Sequence, residues 1–120
     1  MEVKIASDGY VESYCIGGHL SGGIAVEEPG EISAENYAAY RLVDGALTLD
    51  EERLAALQLA DRQNEIRARR ERECYSVINR GQLWYEGISL ARLAELRKWY
   101  KAWLDAPATL IIPDRPAWLD

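Results

Sequence analysis

The side chains in this 120-residue chain best suited to acid–base, nucleophilic or metal chemistry are one histidine, two cysteines and a few adjacent carboxylates. His19 sits in the run Gly17-Gly18-His19-Leu20-Ser21-Gly22-Gly23. A loop imidazole can act as a general base near neutral pH. No Ser, Cys or carboxylate is spaced to work with it, so an ordinary surface histidine is expected. Cys15 and Cys74 lie far apart in sequence, whereas metal ligands usually come closely spaced; two reduced, partly buried thiols are expected. The glycine-rich run has no Lys-Ser/Thr ending and no following helix, so it does not match a phosphate-cradling loop. Glu27-Glu28 falls at a turn and Glu51-Glu52 in a first helical turn, where solvation and capping explain them better than catalysis. The residues therefore point to no catalytic, cofactor-binding or metal site, and to a protein that is not an enzyme.

A second chemistry is concentrated towards the C-terminus. Trp84, Tyr85, Trp99, Tyr100, Trp103 and Trp118 fall close together, along with Pro113 and Pro116. Large rings can fill the core of a helical hairpin too small for an aliphatic one, with the Pro-Trp tail closing its open side. They can also form a docking groove, because Trp, Tyr and Arg dominate interface hot spots. The two roles are compatible, with Trp84 and Trp103 inside and Trp99 or Trp118 at a rim. The candidate partner-binding set is Trp84, Tyr85, Trp99, Tyr100, Trp103, Pro113 and Trp118.

These rings need elements to position them. The length suits one domain, or a small domain with an appendage, and such a chain buries roughly two-thirds of its unfolded surface. Apolar residues make up 48% and charged residues 28%, too hydrophobic a balance for a disordered chain. No apolar run is long enough to span a membrane. The N-terminal Met1-Glu2-Val3-Lys4-Ile5 lacks the basic head and apolar stretch of a signal peptide, so a cytoplasmic protein is expected. The formal charge is −6, unevenly spread: residues 1–60 carry three basic groups against eleven acids, residues 61–101 ten against six. Those halves could pair within or between copies. Nucleic-acid binding through the arginine-rich stretch is disfavoured, because its basic residues alternate with Glu and the whole chain is acidic.

Residues 1–47 read as a small β-rich unit. Val3-Lys4-Ile5-Ala6 and Val11-Glu12-Ser13-Tyr14-Cys15-Ile16 flank Asp8-Gly9 as a hairpin, and Ile24-Ala25-Val26 supplies a third strand. Ala34 to Ala39 suits a helical turn, and Asp44-Gly45 centres a second hairpin. The expectation is an antiparallel β-meander. Residues 48–80 read as one long helix, capped by Thr48 with Glu51, about 32 residues and about 48 Å long. Its middle, Asp61 to Glu73, is dense in charge and reads as a solvated rod; a heptad through Leu54 and Leu57 puts Asp61, Asn64 and Glu71 on the seam. Residues 81–120 read as a helical hairpin with an extended tail. Gly81 ends the rod, Ser89 caps a helix with Leu90, Leu93, Leu96, Tyr100, Trp103 and Leu104 on one stripe, and Pro107 stops it. The fold class is α+β.

The run Glu73-Cys74-Tyr75-Ser76-Val77-Ile78-Asn79-Arg80, with Trp84, Leu93, Leu96, Trp99-Tyr100-Lys101-Ala102-Trp103-Leu104-Asp105 and Ile112-Pro113-Asp114-Arg115-Pro116-Ala117-Trp118, resembles the C-terminal module of tailed-bacteriophage tail-fibre assembly and tail-assembly chaperone-like proteins. It is also similar to small tail-region proteins of prophages in Gram-positive bacteria. The resemblance covers about residues 73–119. It departs from the first family at Trp99-Tyr100-Lys101 and in closing on Pro-Ala-Trp rather than Trp-Pro. It implies no enzyme activity, no cofactor, and a phage tail or tail-fibre protein as partner, in the bacterial cytoplasm or the virion. The expected function is a helper that binds a tail or fibre polypeptide during assembly. The alternative is a structural component of the tail or fibre, a homo-oligomer, for instance a trimer through the long helix.

Overall fold

The computed structural model describes all residues, Met1–Asp120. The chain forms two compact units, Met1–Gln58 and Leu59–Asp120. It is α+β, with antiparallel strands first and helices after them.

In the first unit, β1 (Glu2–Ile5) pairs with β2 (Val11–Cys15), joined by the Asp8-Gly9 turn, where Gly9 takes φ +87°. The Asp8 carboxylate accepts the Tyr10 amide, a local bond that favours the turn over continued strand. The register slips between Lys4 and Ile5, so the pair carries a bulge. β3 (Ile24–Ala25) returns to the other side of β1, giving the order β2-β1-β3. The expected meander is thus corrected: its third strand would lie beside β2, but the glycine-rich loop carries the chain back across the sheet. Gly23 is confined there, since a Cβ on it would stand 2.9 Å from the Leu20 carbonyl. A second sheet pairs β4 (Tyr40–Val43) with β5 (Ala46–Leu49) around Asp44 at φ +50° and Gly45 at φ +81°, the two left-handed residues a tight hairpin requires. A single bridge, Tyr10 to Arg41, links it to the first. The buried centre is Val3, Val11, Ala39 and Tyr40.

Helix α1 (Glu51–Arg70) begins later than the sequence suggested. Thr48 and Leu49 belong to β5, and Asp50 caps in their place, its carboxylate accepting the Arg53 amide at 3.1 Å. Strand pairing takes the backbone through Leu49, so the cap falls to the next residue with a suitable side chain. After Arg70 the helix continues as a wider π turn, Glu71–Tyr75, then α2 (Ser76–Ile78). Along an α-helix Cys74 would sit about 80° round from Ile66. The π turn rotates less per residue and brings Cys74 back towards that face, and both residues are fully buried.

The solvated-rod reading of Asp61–Glu73 therefore holds for one face only. Ile66 is buried, and Gln63 donates to the Pro107 carbonyl at 3.0 Å. Sequence reading divides the chain at 1–47, 48–80 and 81–120, whereas the boundary between the two compact units falls within α1, at Gln58 and Leu59. Gly81, at φ +96° and ψ 172°, makes the break and leads into α3 (Gln82–Glu86). Ser89 caps α4 (Leu90–Thr109), accepting the Arg92 amide. Pro107 does not stop α4. It lies buried inside the helix, which runs on to Thr109 and ends where Leu110 turns left-handed at φ +61°. Close to the end the missing amide costs one hydrogen bond, and the buried ring offsets it through packing. The tail from Ile111 to Pro116 has no regular structure and Leu119 reaches the core.

Candidate functional site

Of the seven candidate residues, two form the centre of the second unit. Trp103 is 1% exposed and Trp99 5%, packed with Ile66, Cys74, Val77, Leu96, Ala106 and Leu119. Trp99 is thus interior and not at a rim. Trp84, expected inside, is half-buried, as are Tyr85, Tyr100 and Trp118 around the same core. Neither Trp99 Nε1 nor Trp103 Nε1 finds a hydrogen-bond partner, so both indoles serve as apolar bulk at some cost in unmet N–H groups.

The half-buried rings are fixed by specific contacts. Trp84 meets Tyr85 edge-on at 5.0 Å between centroids, and Tyr75 meets Tyr100 likewise at 6.4 Å. Arg80 lies 4.9 Å from the Trp84 ring and Arg92 5.3 Å from the Trp118 ring, within cation–π range. Trp118 Nε1 donates to Glu95 at 2.7 Å, and Tyr85 donates its hydroxyl to the Ile78 carbonyl at 2.6 Å. Burial pushes the Tyr85 phenol above its ordinary value. Arg80 and Arg115 both donate to the Asp120 carbonyl, at 2.9 and 2.7 Å, which pins the last turn of chain.

These contacts leave three hollows. Ile78, Tyr85, Leu93, Leu96, Arg97 and Tyr100 line one of about 280 Å³. Another of about 280 Å³ lies against Trp99, Ala102, Pro113 and Pro116, with Glu95, Lys98 and Asp114 supplying its charges. The third, about 400 Å³, has Leu83, Trp84, Ile88 and Trp118 in its wall, with Arg92 beside them. The candidate set is therefore divided: Tyr85 and Tyr100 in one hollow, Trp99 and Pro113 in another, Trp84 and Trp118 in the third. Trp103 reaches none of them.

Sequence reasoning missed the stacking arginines and two leucines. Arg80 and Trp84 are four apart, but Gly81 breaks the helix between them, so neither this pair nor Arg92 and Trp118 carries a sequence signal. Leu83 and Leu90 are each 86% exposed, although the spacing of Leu90 places it on the apolar stripe. It is the first residue of α4, where the helix has not yet reached its packing partners.

The other candidates for chemistry are scattered. His19 is almost fully exposed and stands 2.7 Å from Glu2, a carboxylate that strand pairing supplies and that sequence spacing did not reveal. Cys15 and Cys74 are both free. Burial raises the Cys74 thiol to about 11, with the nearby Arg70 charge working weakly against it, so at neutral pH it is protonated and inert. No three His, Cys, Asp or Glu side chains gather as metal ligands, and no helix is long and apolar enough to cross a membrane.

Comparison of the chain with protein-family models, with curated proteins and with solved structures finds no significant match. What the geometry defines is an α+β protein whose second unit displays aromatic hollows edged by arginine and lysine.

Proposed function

We propose that this chain is a prophage-encoded tail-region protein that binds a tail or tail-fibre polypeptide during assembly. The observation that carries the reading is the hollow walled by Tyr85, Leu93 and Tyr100 with Arg97 beside it, an apolar seat with one positive charge. Such a seat suits an apolar side chain flanked by an acidic one, the kind of surface an unassembled polypeptide exposes. The resemblance of residues 73–119 to tail-fibre assembly proteins supports the identity of the partner. Binding there would shield that surface until the tail or fibre forms.

The test is capture from cells in which the prophage has been induced, with the full-length chain as bait. The wild-type chain recovers a tail or fibre polypeptide, and Arg97→Glu and Tyr100→Ala recover at least tenfold less, a loss of about 1.4 kcal/mol of binding. Recovery of no tail protein by abundant bait overturns the reading. Finding the chain at fixed stoichiometry in purified virions would move it to the structural class.

A further inference from the structure

We propose that the polypeptide held at the Tyr85–Tyr100 hollow docks as an amphipathic helix along α4, from Leu90 to Leu104, with a carboxylate on its apolar seam facing Arg97. The inference rests on the assignment of that hollow to a tail or fibre polypeptide and adds the form the polypeptide takes there.

α4 has two apolar faces. Leu96, Trp99, Trp103, Ala106 and Pro107 are buried on one of them. On the other, Leu90, Leu93, Arg97, Tyr100 and Leu104 follow at intervals of three, four, three and four residues. On an α-helix those five positions fall within about 80° of the circumference and along about 21 Å of the axis. Leu90 is 86% exposed and Leu104 45%, Leu93 and Tyr100 are half-buried, and Arg97 is exposed. Single exposed leucines need no explanation, but this stripe has the spacing of a helix–helix seam and stays open to solvent. The hollow lies at its middle: Leu93, Arg97 and Tyr100 belong to both, and Ile78 and Tyr85 complete the wall.

The occupant's backbone and charge follow from this surface. An extended segment laid on a helix finds no backbone partners, whereas a helical one arrives with its own N–H and C=O groups already paired. Apolar side chains at i, i+3, i+4 and i+7 spacing then meet the leucines and Tyr100, and one of them enters the hollow. Arg97 is the only charge on the seam, and it joins no ion pair. Lys101 borders the seam and is paired with Asp105 at 3.6 Å. An acidic side chain opposite Arg97 therefore completes the contact, and a basic one is repelled. A second copy of α4 is a poor occupant, because a two-fold axis at the middle of the stripe sets Arg97 against Arg97.

The test is binding of two blocked, labelled peptides to the full chain, read by fluorescence anisotropy. Both carry leucine at four seam positions with the same three-and-four spacing, and Ala and Gln off the seam. The central seam position is Glu in one peptide and Lys in the other. The wild-type chain binds the Glu peptide about tenfold tighter than the Lys peptide, with a gain of helix in the summed circular dichroism. Arg97→Glu inverts the preference. Leu90→Gln and Leu104→Gln lie outside the hollow and suit a helix, and each weakens the Glu peptide about fivefold or more. Failure of the Glu peptide to bind below about 1 mM overturns the proposal. A preference that Arg97→Glu leaves unchanged also overturns it. So does binding blind to Leu90 and Leu104, which confines the contact to the hollow and leaves the hollow's assignment standing. A chain that pairs with itself through Leu90 and Leu104 overturns it in favour of a second copy. The peptides need no tail protein, so failure to capture one from induced cells, which overturns the assignment of the hollow, is read separately.

Discussion

In Met1–Gln58 the buried side chains are Val3, Val11, Ala39 and Tyr40, and in Leu59–Asp120 they include Trp103, Trp99, Leu96, Ile66, Val77 and Cys74. The first unit has short strands, tight turns and a polar clamp: Tyr10 bonds Asp50, and Arg53 stacks on Tyr10 at 3.6 Å while its Nε donates to the Ala38 carbonyl at 3.0 Å. The second has large rings, two of them with unmet N–H groups. Similar lengths of chain thus reach compactness by different routes. Where apolar volume is plentiful, packing tolerates unmet hydrogen bonds; where it is scarce, bonds at turns and caps must hold the chain. The chain carries its own reporters for the contrast, because all four tryptophans lie in the second unit and each unit has one cysteine.

The largest effect expected is at Trp103. Truncation to alanine empties the middle of the ring core and costs about 3–5 kcal/mol, most or all of the stability such a unit can hold. The remaining tryptophan emission should shift to that of solvated indole, while amide exchange in β1 and β2 stays at the wild-type rate. If β1 and β2 lose protection together with α4, the units do not fold independently and the contrast fails.

Thiol labelling gives the next largest. At pH 8 a thiol raised to about 11 carries about a hundredfold less thiolate than an ordinary one. The native chain should therefore take up one label at Cys15 quickly, and a second at Cys74 only when the helical unit opens. Trp103→Ala should make both sites react at comparable rates.

How much of this was legible depended on how local the cause is. Both hairpins could be read because Asp8-Gly9 and Asp44-Gly45 are turns settled by neighbouring residues. The N-cap at Ser89 is likewise local. The sheet order, the π turn, the start of α1 and the passage of α4 through Pro107 could not be read, since each is decided by a partner distant in sequence: β1 accepting β3, Ile66 sharing its face with Cys74, β5 holding Leu49, the core accepting a proline ring. At the candidate site the sequence located the aromatic group but not its sides. Trp84 and Trp99 exchange their expected places because burial depends on which face of α4 meets α1 and the tail.

A smaller effect is expected at Gly81. Its φ of +96° with ψ 172° lies where essentially only glycine is comfortable, although a Cβ there would touch nothing. Gly81→Ala should cost about 1–3 kcal/mol through backbone strain alone. The loss should appear in the tryptophan-monitored transition and leave the first unit untouched. A neutral result would mean that the link between α2 and α3 relaxes freely, and that packing alone holds the second unit.

The smallest effect tests the clamp of the first unit. The Tyr10 hydroxyl, 2.6 Å from Asp50, is the main cause of that carboxyl's titration below its ordinary value, with the Arg53 amide adding to it. A carboxyl lowered by folding stabilises above its unfolded value, near 3.8, and loses that contribution as pH falls through its folded value. Tyr10→Phe removes the hydroxyl and keeps the ring under Arg53, so at neutral pH amide exchange in β2 and at the start of α1 should quicken modestly. Below the ordinary carboxylate range Asp50 is protonated in wild type too, and the gap between the two proteins should close. Trp103→Ala carries no such dependence, because ring packing binds no proton. A gap at Tyr10 that persists at low pH would show that the ring's packing, and not its hydroxyl, holds the hairpin to the helix, and the two units would then differ in degree and not in kind.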